Sequence, residues 1–278
     1  MKAFVLSDNR SINDNYGVEH GLSVYLETNQ HKLLLDTGAS DLFIINAEKM
    51  NIDLREVDYV FISHGHADHI GGLAAFLKLN TRAKVILSGN ILGSEYFSKR
   101  NGMHKISIDF DFSEIADRLI IVEDDLTLEE EIHVFANNSD AFPKPLGNIN
   151  LFRHNDANEL VHDNFKHELI ITVGSEKLFV FTGCAHAGLL NILQTVKEKS
   201  NLPVRWVMGG FHLLDTKNGN SFETDAEQWE LAKYLKSTYP LTDFITGHCT
   251  GEKAYNQLKT ILEFRLIHFF SGYKLIEN

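Results

Sequence analysis

Apolar positions come in short bursts separated by polar turns, and their spacing alternates between two rhythms. Residues 2–6 read as a strand, and 21–28 with 31–36 as a hairpin about Asn29 and Gln30. Residues 41–50 carry Leu42, Ile45 and Met50 at helical spacing. A short buried strand over 58–62 then delivers the chain to a histidine-rich loop. A helix over 70–79 and a strand over 83–88 follow. The second half repeats the scheme. A hairpin spans 168–173 and 177–182 about Gly174 and Ser175. Then come a helix over 189–199, a strand over 204–208, a helix over 223–238, a strand over 243–246, a helix over 252–264 and a strand over 266–270. Each half thus offers a hairpin first and alternating strand and helix afterwards. That pattern predicts two facing sheets with helices outside.

Residues 89–165 lack this clarity. Segments 107–112, 119–122 and 132–136 have strand character, and 141–145 holds two of the four prolines. The whole chain, 1–278, reads as one domain, with 89–165 an insertion that covers the functional site.

Composition narrows the class. The chain has 278 residues, 44% of them hydrophobic, enough for a substantial core. Its net charge of −12, without a basic cluster, argues against a nucleic-acid partner. It leaves a small anionic substrate possible. The two cysteines, Cys184 and Cys249, exclude a disulfide framework. Each stands near a histidine, His186 and His248, which fits a reducing compartment and a metal or polar site. The N-terminal stretch turns polar after Leu6, too early for a signal-peptide apolar region. No apolar run reaches membrane-spanning length. The expectation is a cytoplasmic protein with a small-molecule substrate and no membrane partner. The oligomeric state is not legible.

The chemistry concentrates in Ser63-His64-Gly65-His66-Ala67-Asp68-His69. Alternate residues of an extended segment point the same way, so His64 and His66 can reach one metal ion together. Asp68 and His69 lie where the chain turns into a helix and can face a second ion. Imidazoles with a carboxylate suit Zn2+, and also Mn2+ or Fe. Gly71 and Gly72 allow the helix to approach closely. His212 ends a strand after two glycines, and His248 ends another. His20 stands in an N-terminal motif.

The His64-x-His66-x-Asp68-His69 pattern, with Leu35-Asp36-Thr37-Gly38 upstream, resembles the metallo-β-lactamase superfamily. Glu19-His20-Gly21-Leu22-Ser23, Thr182-Gly183-Cys184-Ala185-His186, Gly209-Gly210-Phe211-His212 and Thr246-Gly247-His248-Cys249-Thr250 are similar to one branch of it. That branch contains dihydropterin-ribofuranosylaminobenzene 5′-phosphate synthase and bacterial hydrolases of unassigned substrate. The resemblance implies an α+β fold, the four-layer αββα sandwich, with metal at one edge of the sheets. It implies that Asp36 supports the metal site through hydrogen bonds. It places Cys184 where a bridging aspartate is usual, either as a ligand or standing aside. It also implies His64, His66 and His186 on a first ion and Asp68, His69 and His248 on a second. A further superfamily histidine has His154, His162 and His167 as candidates by position, each reading better as a surface residue.

The resulting expectation is a hydrolase that uses a metal-activated hydroxide on a phosphoester, phosphodiester or lactone, with one or two Zn2+ ions. Asp68, His20 and His212 are the candidates for catalytic contact with substrate or acid/base work. Two alternatives stand beside it. One is a synthase-like transferase that displaces pyrophosphate from a dihydropterin, using an aromatic pocket drawn from Phe110, Phe112, Phe142 or Phe152. The other is a metal-containing sensor without turnover.

Overall fold

The computed structural model describes residues 1–136, 138–155 and 157–277. The chain divides into two compact units. The first comprises 1–123, 150–169 and 270–278, and the second 124–149 and 170–269.

The first unit is built on a seven-stranded sheet. Its order is Lys274–Ile276, Lys2–Ser7, Ser23–Glu27, Lys32–Leu35, Tyr59–Phe61, Lys84–Ser88 and Leu119–Val122. The strands up to Lys32–Leu35 pair antiparallel, the last two of them as a hairpin. From there to Leu119–Val122 they run parallel. The apolar rhythm of 41–50 becomes the helix Leu42–Lys49, which buries Phe43 and Ala47. These join Leu73, Phe76, Val60, Val85 and Leu34 in one core. The expected helix over 70–79 is two helices, Ala67–Ile70 and Leu73–Leu79, with Gly71 and Gly72 between them. A Cβ at Gly71 would strike the Ala39 carbonyl oxygen, and one at Gly72 that of Thr37. Glycine there lets the helical turn lie directly on the neighbouring backbone.

The second unit repeats the scheme. Its sheet runs Leu266–His268, Asp243–Thr246, Val204–Gly209, Leu178–Phe181, Ile170–Val173, Ile132–Phe135 and Leu126–Glu129. The first four are parallel and the rest antiparallel. The two central hairpin strands are buried throughout and are accordingly apolar on both faces. Helices Leu189–Lys199, Asp225–Thr238 and Glu252–Leu262 supply Ile192, Val196, Ala232, Leu235, Leu258 and Leu262 to the core. Thr224 and Glu227 form a reciprocal capping box at the start of Asp225–Thr238.

Residues 89–165 contribute to both units. Tyr96–Ser98, His104–Lys105, Leu151–His154 and Leu160–His162 form a small four-stranded sheet in the first unit. Leu119–Val122 is an edge of that unit's large sheet, whereas Leu126–Glu129 and Ile132–Phe135 belong to the second. The expected strand over 107–112 is irregular chain leading into a 3-10 helix, Phe112–Arg118. Its alternating Ile108, Phe110 and Phe112 pack on the first core without strand pairing.

Candidate metal centre

In the first unit, two adjacent parallel strands set the geometry. Lys32–Leu35 ends at Asp36, and Tyr59–Phe61 ends just before Ser63. Asp36 adopts a left-handed backbone, φ 57°, which turns its carboxylate across to the neighbouring loop. Its Oδ1 accepts from Ser63 N at 2.7 Å. Its Oδ2 accepts from Ser63 Oγ at 2.6 Å and pairs with His69 Nδ1 at 2.7 Å.

These contacts decide tautomers. His69 donates from Nδ1 to Asp36, so its lone pair is on Nε2, the nitrogen suited to a ligand role. Ser63 spends its one proton on Asp36, so at 2.9 Å it accepts from His64 Nδ1. His64 Nε2 then also carries a lone pair. The His64 ring lies 4.5 Å from His66 and 4.1 Å from His69 between centroids. Burial, above all, holds the pKa of His64 well below the imidazole range and lowers that of His66. Neutral imidazoles are what a divalent ion requires. Asp68 is partly exposed, with its Oδ2 3.4 Å from Nε2 of the exposed His20.

His66 has a further neighbour from outside the loop. His167 accepts from Gly65 N at Nδ1, 3.1 Å, and therefore donates from Nε2 to Asp163 Oδ2 at 2.9 Å. The same carboxylate oxygen lies 3.9 Å from His66 Nε2. Burial would raise Asp163, but its hydrogen bond to His167 and the nearby imidazole of His66 outweigh that and hold it below the usual carboxylate range. The Tyr96 ring packs against His167, tilted by 37° with centroids 4.1 Å apart. His167 is fully buried, unlike the surface residue expected at this position. His154 instead pairs with Glu95, and His162 stacks on Phe152.

In the second unit, three neighbouring parallel strands present donors at their carboxyl ends. Cys184 and His186 follow Leu178–Phe181, His212 follows Val204–Gly209, and His248 with Cys249 follow Asp243–Thr246. Strand ends of this kind are where α/β sheets place ligands. The donor atoms of Cys184, His186 and His212 lie within 4.8 Å of one another, as do those of Cys184, His248 and Cys249. His186 and His212 have ring centroids 4.2 Å apart. Asn148 holds His186 at both ends, through Nδ1 at 3.0 Å and the backbone carbonyl at 2.8 Å. His212 is 5% exposed, yet neither ring nitrogen has a hydrogen-bond partner among the described residues. Ala185, His212 and His248 all have positive φ, between 49° and 58°. Such strain persists where surrounding structure demands it.

Cys249 was not among the sequence-read donors. Burial pushes its thiol up, but side-chain contacts to Cys184 and His212 and the nearby imidazole of His248 bring it well below its ordinary range. Its Sγ accepts from His212 N at 3.3 Å. A Cβ at Gly210 would collide with that sulfur, so the second glycine of Gly209-Gly210 is the room for Cys249.

The expected residues thus divide. His20, Asp36, His64, His66, Asp68 and His69 gather in the first unit, and Cys184, His186, His212 and His248 in the second. Both sets fit a divalent metal by donor chemistry. The first offers buried, neutral, oriented imidazoles with a carboxylate. The second offers thiols and imidazoles, including the buried His212 beside the Cys249 thiol.

Residues 16–135 match the family model described as Metallo-beta-lactamase superfamily. The chain is 27% identical over 273 residues to the 7,8-dihydropterin-6-methyl-4-(beta-D-ribofuranosyl)-aminobenzene-5'-phosphate synthase of Methanocaldococcus jannaschii, covering 92% of this chain and 90% of that protein. An uncharacterized protein of the same organism is 26% identical over 269 residues, 94% of each chain. The solved structure of Tm1679, a metal-dependent hydrolase of the beta-lactamase superfamily, aligns with a TM-score of 0.82 and 30% identity. That alignment covers 100% of this chain and 99% of the other.

Proposed function

The chain belongs to the metallo-β-lactamase superfamily and has its mixed αβ fold; from that premise we propose that it is a metal-dependent hydrolase of a small phosphoester, phosphodiester or lactone. The observation that carries this reading is the loop of three packed, buried imidazoles whose lone pairs are set by Asp36 and Ser63. His64, His66, Asp68 and His69 of the first unit and His186 and His248 of the second are the proposed donors for one or two ions, with Cys184 offering a thiolate. Zn2+ suits this set best, with Mn2+ or Fe as alternatives. When bound, a divalent ion supplies Lewis-acid activation of water and of the substrate's phosphoryl or acyl oxygen.

The chain's own groups do the rest. Burial keeps His64 and His66 neutral near pH 7, so they give lone pairs rather than protons. Asp68 can accept the proton of an attacking water, and the exposed His20 beside it can pass that proton outward. In this reading His212 contacts substrate or takes part in acid/base work. The substrate is a small molecule, and the setting we infer is cytoplasmic. No described helix is long and apolar enough to cross a membrane.

A transferase reading has two observations in its favour. The synthase relative aligns over most of both chains. The second unit also contains a cavity of about 780 Å³, lined among others by Phe142, Leu146, Leu189, Phe211, Leu231 and Tyr234. That is the size and character of a pocket for a flat aromatic molecule. Of the four phenylalanines read as pocket candidates, Phe142 lines it; Phe110 packs on Phe112, and Phe152 on His162.

Turnover by metal-loaded protein, scored across phosphomonoesters, phosphodiesters and lactones, tests the hydrolase reading. His66→Ala and Asp68→Ala should lose metal and turnover together. Full activity in a metal-free His66→Ala protein would overturn it. Tight ligand binding with no turnover across the panel would point to a sensor.

A further inference from the structure

We propose that the second unit holds a thiophilic metal ion by itself, through Cys184, Cys249 and His212, without need of the His64–His69 loop. The proposal builds on the functional reading, which already uses Cys184, His186 and His248 as donors. It adds Cys249 and His212, and it adds independence.

Three observations carry it. The Cys184 sulfur belongs to both donor groups, so His186 and His212 lie within 4.8 Å of it in one, and His248 and Cys249 in the other. All five residues are buried. No carboxylate takes part in either group. Two sulfurs among imidazoles favour Zn2+, Co2+ or Cd2+ over Mg2+, Ca2+ or Mn2+.

The second observation is His212. A buried imidazole normally satisfies both nitrogens, because each unpaired polar atom costs free energy. His212 is 5% exposed, its ring lies against His186 and the Cys249 thiol, and neither nitrogen meets the geometry of a hydrogen bond among the described residues. A metal ion is a partner that would satisfy it.

The third is Gly210. Its missing side chain is the space occupied by the Cys249 sulfur. Cys249 Sγ also lies 3.6 Å from the Cys184 carbonyl oxygen, which ties the two cysteine loops together. The backbone is therefore shaped around a thiol at this point, beyond what a turn alone would ask.

The test uses Co2+ added anaerobically to the reduced, metal-free full chain. Thiolate ligation to Co2+ gives a near-ultraviolet charge-transfer absorption that imidazole and carboxylate ligands do not. A His64→Ala/His66→Ala variant should still bind one Co2+ per chain with this absorption, and Cys184→Ser introduced into it should abolish the band. A folded double variant, judged by circular dichroism, that shows no band would overturn the proposal. Should the double variant not fold, Cys249→Ser in the otherwise unchanged protein decides. Loss of about half the charge-transfer intensity is expected, since one of two thiolates is gone. Unchanged intensity would overturn the proposal. The readout is separate from turnover. A protein that hydrolyses nothing but shows the band would sink the functional reading alone, and one that turns over substrate without the band would sink this inference alone.

Discussion

The two donor sets reach similar ends by different means. In the first unit the donors are nearly contiguous in sequence, and buried carboxylates orient them. Asp36 holds Ser63 and His69, Ser63 passes the constraint to His64, and Asp163 stands behind His66. In the second unit the donors come from three strand ends, and backbone shape does much of the orienting. His212 and His248 sit at positive φ, Gly210 yields to a sulfur, and an amide, Asn148, holds His186. The first set is a motif set in place by side chains. The second is a cluster assembled by the sheet.

The contrast can be broken experimentally, most forcefully at Asp36. Asp36→Ala removes the acceptor of three buried hydrogen bonds, and each orphaned donor costs about 1–3 kcal/mol. Chemical denaturation should show a loss of several kcal/mol, together with a large loss of metal affinity. A mild effect would mean that the loop is held by its backbone, as in the second unit.

Asp163→Asn comes next. It keeps size and the hydrogen bond from His167 but removes the charge facing His66. Metal affinity, read by chelator competition, should fall about 10–100-fold with the fold retained. The variant should also flatten the acid limb of stability. Asp163 is held below its ordinary value of 3.8, so the stability it contributes is present above that value and is lost as pH falls through and below it.

The smallest effect belongs to Glu223, the second unit's one buried carboxyl among the described residues. Burial pushes it up from 4.5, and Leu146 N donates to its Oε1 at 2.8 Å. A raised carboxyl favours the fold below pH 4.5 and loses that contribution as pH rises through its folded pKa. Glu223→Gln should therefore remove this decline, leaving the variant slightly more stable near pH 7 in a thermal-melt pH series. Because the Glu223 charge reaches the second donor set only through a longer-range interaction with His212, the variant's metal affinity should fall far less than that of Asp163→Asn. A loss matching that of Asp163→Asn would show that carboxylates orient both sets, and the contrast would fail.

How much of this the sequence reveals follows the same division. The His64–His69 loop is legible because its donors are neighbours and the strand before it is apolar. Asp36 is legible because it ends an apolar strand. The helix Leu189–Lys199 is read to the residue from periodicity alone. The superfamily and its fold also follow from the motifs, and the relatives bear them out. Cys249 escapes because its role depends on a glycine 39 positions earlier, as the matching Phe211–Thr250 bond across the same two loops illustrates. His167 escapes because its partners, Gly65 and Asp163, identify it only after the small sheet around Tyr96 has folded. The false strand over 107–112 arises because alternation also serves an irregular segment lying on a core.

The pairing of Lys2–Ser7 with Lys274–Ile276 has a consequence for how the molecule is made. Beside it, Asp8 N bonds Ser271 Oγ across 263 positions. Lys2–Ser7 must wait until residues 274–276 have been made before its outer neighbour exists. Loop closure of that span is slow, and an apolar edge is unprotected meanwhile. The seam between Lys2–Ser7 and Lys274–Ile276 is thus the last part of the large sheet to close during synthesis, and the place where a chaperone would have most to shield.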